Sequence, residues 1–214
     1  CIGTDALTAK AVALELGKLS GVLVAPTISY GMAEHHLGFP GTMSLKPSTL
    51  IAVVHDLVIS LAGHGFERIF FVNGHGGNIA STKAAFAEAY KTVLNNSNFS
   101  CSSKLRCRLS SWFMDSAVFQ KSKELYGDKE GQHATPSEIS LTLHLEPILL
   151  RKQRPLQEPA SSGPIFGQQD FRKRYPDGRM GSDPFLAKPE HGKILLDLAT
   201  SSLLEDLSQF LDLL

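Results

Sequence analysis

Apolar residues recur along this chain in two alternating rhythms, one of helical spacing and one of short β-rich runs. Residues 7–19 are rich in alanine and leucine at helical spacing, with Thr4 or Asp5 placed to cap the helix and Gly21 to end it. Val22, Leu23, Val24 and Ala25 then predict a strand that runs out at Pro26. Residues 30–42 hold too many glycines and prolines for a regular element, yet carry the adjacent histidines His35 and His36; loops of this kind hold function on a rigid scaffold. Residues 50–62 predict a second helix, closed by Gly63. Ile69, Phe70, Phe71 and Val72 are too few for a helix and predict a buried strand. Residues 79–93 return to helical spacing through Ile79, Phe86, Ala89, Tyr90 and Val93, and after a polar linker residues 105–112 alternate as a strand. Residues 115–132 form a longer polar excursion. Pro136 suits a first helical turn, with Ala134 or Thr135 near its cap, so a helix is expected from there to about Leu145. The proline-rich residues 147–189 predict an extended, partly mobile arm, and residues 194–213 a final amphipathic helix.

Helix and strand thus alternate from the start, which predicts an α/β fold with a mainly parallel sheet covered by helices on both faces. The 214 residues, 43% hydrophobic and 20% charged, fit one domain over 1–214 with a sizeable core. Twenty-one basic residues balance twenty-one acidic ones, so no global charge points to nucleic acid or an anionic membrane. A small neutral or zwitterionic ligand fits that balance better. The three cysteines, Cys1, Cys101 and Cys107, are odd in number and lack C-x-x-C spacing, which favours reduced thiols and a cytoplasmic protein. No apolar run reaches membrane-spanning length, since residues 50–62 are broken by His55 and Asp56. Sequon triplets at Asn95 and Asn98 read as part of a polar loop. The chain opens on Cys1 rather than methionine, so an amino-terminally incomplete domain is expected.

The candidate chemistry centres on the end of the strand at Val72. There the chain enters Asn73-Gly74-His75-Gly76-Gly77-Asn78, where glycines permit tight backbone paths and one imidazole stands in a strand-to-helix turn. In open α/β sheets ligands bind at such turns. Three readings compete: a phosphate cradle, which lacks the usual glycine-lysine pattern; a tight turn whose histidine bonds the backbone; and a metal ligand or general base. The last needs partners. Asp5 and Glu138 also fall at or beside strand-to-helix junctions, which gather along one edge of a parallel sheet. Carboxylate and imidazole together suit Zn²⁺, Mn²⁺ or Fe²⁺. The spacing is no local zinc signature, and each residue has a structural reading: Asp5 as a cap, Glu138 as a charge at a helix start, His75 as a turn residue.

Four motifs occur together and in order: G-T-D at Gly3, F-P-G-T-M-S-L at Phe39, N-G-H-G-G-N at Asn73 and H-A-T-P-S-E-I-S-L at His133. In this they resemble the creatininase family of metal-dependent amidohydrolases, over roughly residues 1–145. The resemblance implies a three-layer α/β/α sandwich. It implies that Asp5 is the carboxylate bridging two divalent ions (Zn, Mn or Fe, two per subunit in the complete protein). His75 and Glu138 look like terminal ligands, His133 like the catalytic histidine that handles a proton, and His36 and Trp112 like residues lining or closing the substrate pocket. Glu130, three residues before His133, is placed to orient that histidine or the substrate, though it reads first as an exposed surface acid. The implied activity is hydrolysis of a non-peptide C–N bond in a cyclic amide, formamide or creatinine-like small molecule. A catalytically silent subunit or binding protein is the alternative. A homo-oligomer, commonly a hexamer, is also implied, with the loop 34–42 and an exposed Phe39 reaching a neighbouring site. Two departures stand out. The family's upstream E-x-H ligand pair would precede residue 1. Gly77 stands where creatininase itself has an acidic residue, which makes Glu138 the substitute and weakens creatinine as the substrate.

Overall fold

The computed structural model describes residues 2–96, 99, 104–149 and 158–212. Cys1, Cys101, the sequon residues Ser97, Asn98 and Ser100, and positions 150–157 of the proline-rich stretch lie outside the described residues. In chain order the elements are α1 (Thr4–Ser20), α2 (Pro47–Gly63), β1 (Arg68–Asn73), α3 (Asn78–Leu94), β2 (Arg106–Ser111), α4 (Ser116–Tyr126), α5 (Pro136–Leu145), α6 (Gln168–Arg174) and α7 (Pro189–Leu211).

β1 and β2 pair in parallel, with Ile69 opposite Cys107 and Val72 opposite Ser110. The two-residue period of a strand sends alternate side chains to opposite faces. Ile69 and Phe71 pack into the cluster of α2 and α3, around Val54, Val58, Phe86 and Val93, whereas Phe70 and Val72 pack into the cluster around Val12, Leu141, Leu195 and Leu203 from α1, α5 and α7. A strand buried on both faces must be apolar at every position, which is why residues 69–72 read as an unbroken run. Helices therefore cover the sheet on both sides, the three-layer α/β/α sandwich. Each large side chain buried in these clusters contributes about 1.5–3 kcal/mol.

Three stretches differ from the sequence reading. Val22–Ala25 is not a strand: among the described residues the sheet has two strands, and residues 21–33 run without regular structure, Leu23 being 86% exposed. β-propensity alone does not make a strand, because its backbone N–H and C=O groups need a neighbour. The polar excursion 115–132 contains α4, whose start Asp115 caps by accepting from the N–H groups of Ala117 and Val118 at 2.9 and 3.2 Å. Val118, Ser122 and Tyr126 give it one buried face at four-residue spacing. The arm divides: residues 158–166 have no regular structure and are mostly exposed, as an extended arm would be, whereas α6 lies within its later part and Phe171, Tyr175 and Met180 form a small buried cluster joined by Phe39. α7 begins at Pro189, earlier than residue 194, because proline suits the first helical turn. No helix among the described residues is long and apolar enough to cross a membrane.

Candidate functional site

The turn after β1 is held by two asparagines. Asn73 accepts from the His75 N–H at 3.2 Å, and its amide nitrogen donates to the His75 carbonyl at 2.8 Å and to Ser111 Oγ at 2.9 Å. Asn78 donates to Asn73 Oδ1 at 3.3 Å and accepts from the Met32 N–H at 2.9 Å, tying the turn to the loop that carries His35 and His36. The Asn78 and Ile79 N–H groups are bonded to the His75 and Gly76 carbonyls, each at 3.2 Å, so two donors a phosphate would need are already engaged. Two glycines set the spacing. A Cβ at position 74 would lie 2.3 Å from the Asp5 carbonyl oxygen, and one at position 77 would lie 2.3 Å from the Met32 carbonyl oxygen and 2.7 Å from His75 Nε2. Gly74 thus lets the first turn of α1 sit against the end of β1, and Gly77 lets the loop at Met32 close on the His75 ring.

That approach brings Asp5 Oδ2 to 3.2 Å from His75 Nδ1. Burial opposes charge on His75, but the hydrogen bond and charge of Asp5, the charge of Glu138 and the Met32 carbonyl together raise its pKa above the ordinary histidine value. Glu138 comes from the start of α5. There Thr135 Oγ1 accepts from the Glu138 N–H at 3.2 Å, while Glu138 Oε2 accepts from the Thr135 N–H at 3.1 Å and the Thr135 hydroxyl at 2.8 Å. This capping box fixes a carboxylate in the interior. Burial first, and the charge of Asp5 second, push the Glu138 carboxyl up to about 7 against the Thr135 bonds. Two carboxylates that repel one another around a single imidazole form a set that a divalent cation relieves.

Histidines form the opposite wall. His36, buried at 8% exposure, stacks on His133 with ring centroids 4.1 Å apart and meets the edge of Phe171 at 4.7 Å. His35 lies 4.0 Å from His36 between ring centroids. Burial, then the neighbouring imidazoles, lower His36 to about 2. Burial, then His75, lower His133 to about 4, with Asp5 opposing. Both rings are uncharged at neutral pH. The His133 backbone is pinned by the described part of the arm, since its carbonyl accepts from the Ser182 hydroxyl. Ala134, the next residue, has φ 54, a left-handed conformation costly for a residue with a Cβ.

Asp5, His36, His75 and His133 line one cleft of about 1450 Å³, and Glu138 acts electrostatically on Asp5 and His75 from α5. Trp112 does not join them: it is fully buried in the cluster of Val12, Leu141 and Leu195. Glu130 is no exposed surface acid. It is buried, takes a hydrogen bond from the Ser137 hydroxyl, and is raised in pKa by its burial. Phe39 is likewise covered by its own chain, edge-on to Phe171 at 6.0 Å and beneath the Arg172 guanidinium at 4.2 Å. The sequence reading assigned no role to Phe171, whose ring touches His35, His36 and His133. Nothing near it in sequence marks it. The residues present fit a divalent metal ion, because Asp5 and Glu138 both act on His75 and the buried His36 Nδ1 and His75 Nε2 make no hydrogen bond.

The creatininase family model, described as creatinine amidohydrolase, matches residues 1–207. A creatinine amidohydrolase of Pseudomonas putida is 27% identical over 218 residues, covering 95% of this chain and 80% of that protein. A crystal structure of creatinine amidohydrolase (creatininase) superimposes with a TM-score of 0.80 at 26% identity, covering 100% of this chain and 85% of that one. A structure described as creatininase Mn gives 0.79 at 26% identity, covering 98% and 84%.

Proposed function

Because this chain belongs to the creatininase family of metal-dependent amidohydrolases, we propose that it hydrolyses a C–N bond other than a peptide bond in a cyclic amide, formamide or related small molecule. The observation that carries this reading is the convergence of Asp5 and Glu138, from two helix starts, on His75. Asp5, His75 and Glu138 would hold the metal, with Asp5 as the shared carboxylate if two ions bind. When bound, divalent ions supply a water ionised near neutral pH and a polarised carbonyl. His133, uncharged at neutral pH and facing the same cleft, is free to accept a proton and return it to the departing nitrogen. His36 and Phe171 back that ring and restrict water around it.

A substrate other than creatinine is favoured by Gly77. A side chain there would collide with the Met32 carbonyl and His75 Nε2, so the carboxylate must come from elsewhere, and Glu138 supplies it. The test is an assay of the Zn²⁺- or Mn²⁺-loaded protein against lactams, N-formyl compounds and creatinine. Metal-dependent turnover of a lactam or formamide supports the reading. Full metal occupancy with no turnover of any of them favours a catalytically silent subunit or binding protein.

A further inference from the structure

The hydrolase reading uses one face of His75; the other side of the same ring meets a pair of histidines it leaves unused. His35, His36 and His75 each offer one ligand nitrogen, and these three atoms lie within 4.8 Å of one another. We propose that His35, His36 and His75 form a nitrogen-rich site for a borderline divalent cation, Zn²⁺ or Co²⁺, whose occupancy depends on His35 and does not require Glu138. It rests on the metal-dependent reading above and adds ligands to it.

Three observations carry the site. First, His36 Nδ1 is buried with no hydrogen-bond partner although its residue is 8% exposed. A buried polar atom left unpaired is costly, and a metal ion removes that cost. Second, Asp5 engages His75 at Nδ1, leaving Nε2, which is buried near the Met32 carbonyl but makes no formed hydrogen bond. A carboxylate on one imidazole nitrogen while the other faces a metal is the usual arrangement for orienting a histidine ligand. Third, the rings are prepositioned. A short 3₁₀ turn, Glu34–His36, is closed by the His36 N–H donating to the Ala33 carbonyl at 2.9 Å. Phe171 and His133 then hold the His36 ring from two sides. Zn–N bonds of about 2.0–2.1 Å set tetrahedral donors roughly 3.3 Å apart, so small ring rotations close the site. Three imidazoles favour Zn²⁺ or Co²⁺, whereas carboxylates such as Asp5 and Glu138 favour harder Mn²⁺.

The test is titration of the metal-free chain with Co²⁺, followed by the visible absorption of the bound ion, for the wild type and for His35→Gln, His36→Gln and Glu138→Gln. Elemental analysis of the Zn²⁺-loaded proteins and thermal melting accompany it. The expected result is a tetrahedral Co²⁺ spectrum in the wild type, weakened in affinity by about 100-fold or more in His35→Gln and His36→Gln at unchanged melting temperature. Glu138→Gln should retain it. Should His36→Gln melt early, His35→Gln decides, because His35 is only partly buried. Wild-type Co²⁺ affinity in His35→Gln overturns the proposal and leaves the hydrolase reading standing. Loss of the ion in Glu138→Gln but not in His35→Gln assigns it to the carboxylate set and also overturns the proposal. Retained hydrolysis in Glu138→Gln would instead count against the ligands of the hydrolase reading while leaving the histidine site intact.

Discussion

The first turns of α1 and α5 each carry an acidic residue toward His75, yet only that of α5 is tied into its own helix. α1 is preceded by Gly3 at its N-cap, with φ 97 and no side-chain cap, and Asp5 sends its half-exposed carboxylate across to His75. α5 starts with a complete capping box and Pro136, and one oxygen of Glu138 accepts both Thr135 hydrogen bonds. One helix start forgoes a cap worth about 1 kcal/mol and keeps its carboxylate available; the other spends the same chemistry on rigidity and holds a carboxylate in the interior, where ionising it is costly. A capping role and a ligand role therefore need not compete: Glu138 caps α5 while its charge acts on Asp5 and His75.

The comparison can be broken first at the residue that serves neither helix start. His133→Ala should lower kcat by about 10²- to 10⁴-fold with bound metal nearly unchanged. Loss of metal in proportion to activity, measured by elemental analysis, would make His133 a ligand.

The pH dependence of the metal-free protein separates the two carboxylates next. Because the folded-state pKa of Glu138 is raised from 4.5 to about 7, its favourable contribution is complete below about pH 4.5 and is lost as pH rises through 7. Glu138→Gln should therefore stabilise the metal-free chain at pH 8, by about 1–3 kcal/mol, while Asp5→Asn, which removes the partner of His75, should not. His36 and His133 carry the opposite sign: with folded values of about 2 and about 4, they destabilise the fold as pH falls below 6.5, by about 1.4 kcal/mol per pH unit each. Chemical denaturation from pH 4 to 8 reads both slopes.

Smaller effects test the caps. Thr135→Ala should cost about 1 kcal/mol in urea denaturation and loosen Glu138, since two of that carboxylate's bonds end on Thr135. At the neighbouring strained position Ala134→Gly should gain up to about 1 kcal/mol, because glycine adopts φ 54 without the Cβ clash. A loss there would mean that the conformation of Ala134 is not strained.

Much of this was legible in the sequence because it is local. Periodicity located α1, α2, α3, α5 and both strands to within a few residues, and the turn from β1 to α3 that carries His75 meets the helix starts that carry Asp5 and Glu138, although among the described residues only the first of the three is a strand-to-helix junction. What was not legible depends on contacts far apart in the chain. Residues 22–25 have strand propensity and no strand partner among the described residues. Phe171 looked like one aromatic in a proline-rich arm, yet it abuts three histidines. Trp112 takes its expected role from resemblance and Glu130 from its position three residues before His133, whereas burial places the first in the core and holds the second against Ser137.

The central claim is that Asp5 and Glu138, from two helix starts, act as one site around His75. The direct measurement is a double-mutant cycle on Mn²⁺ affinity, by calorimetry at pH 7.5, for the wild type, Asp5→Asn, Glu138→Gln and the double variant. One shared site predicts that each single variant weakens binding by about 10-fold or more and that the double variant loses less than the two losses combined, with a coupling of about 0.5–3 kcal/mol. Wild-type Mn²⁺ affinity in both single variants, or strictly additive losses, would contradict it.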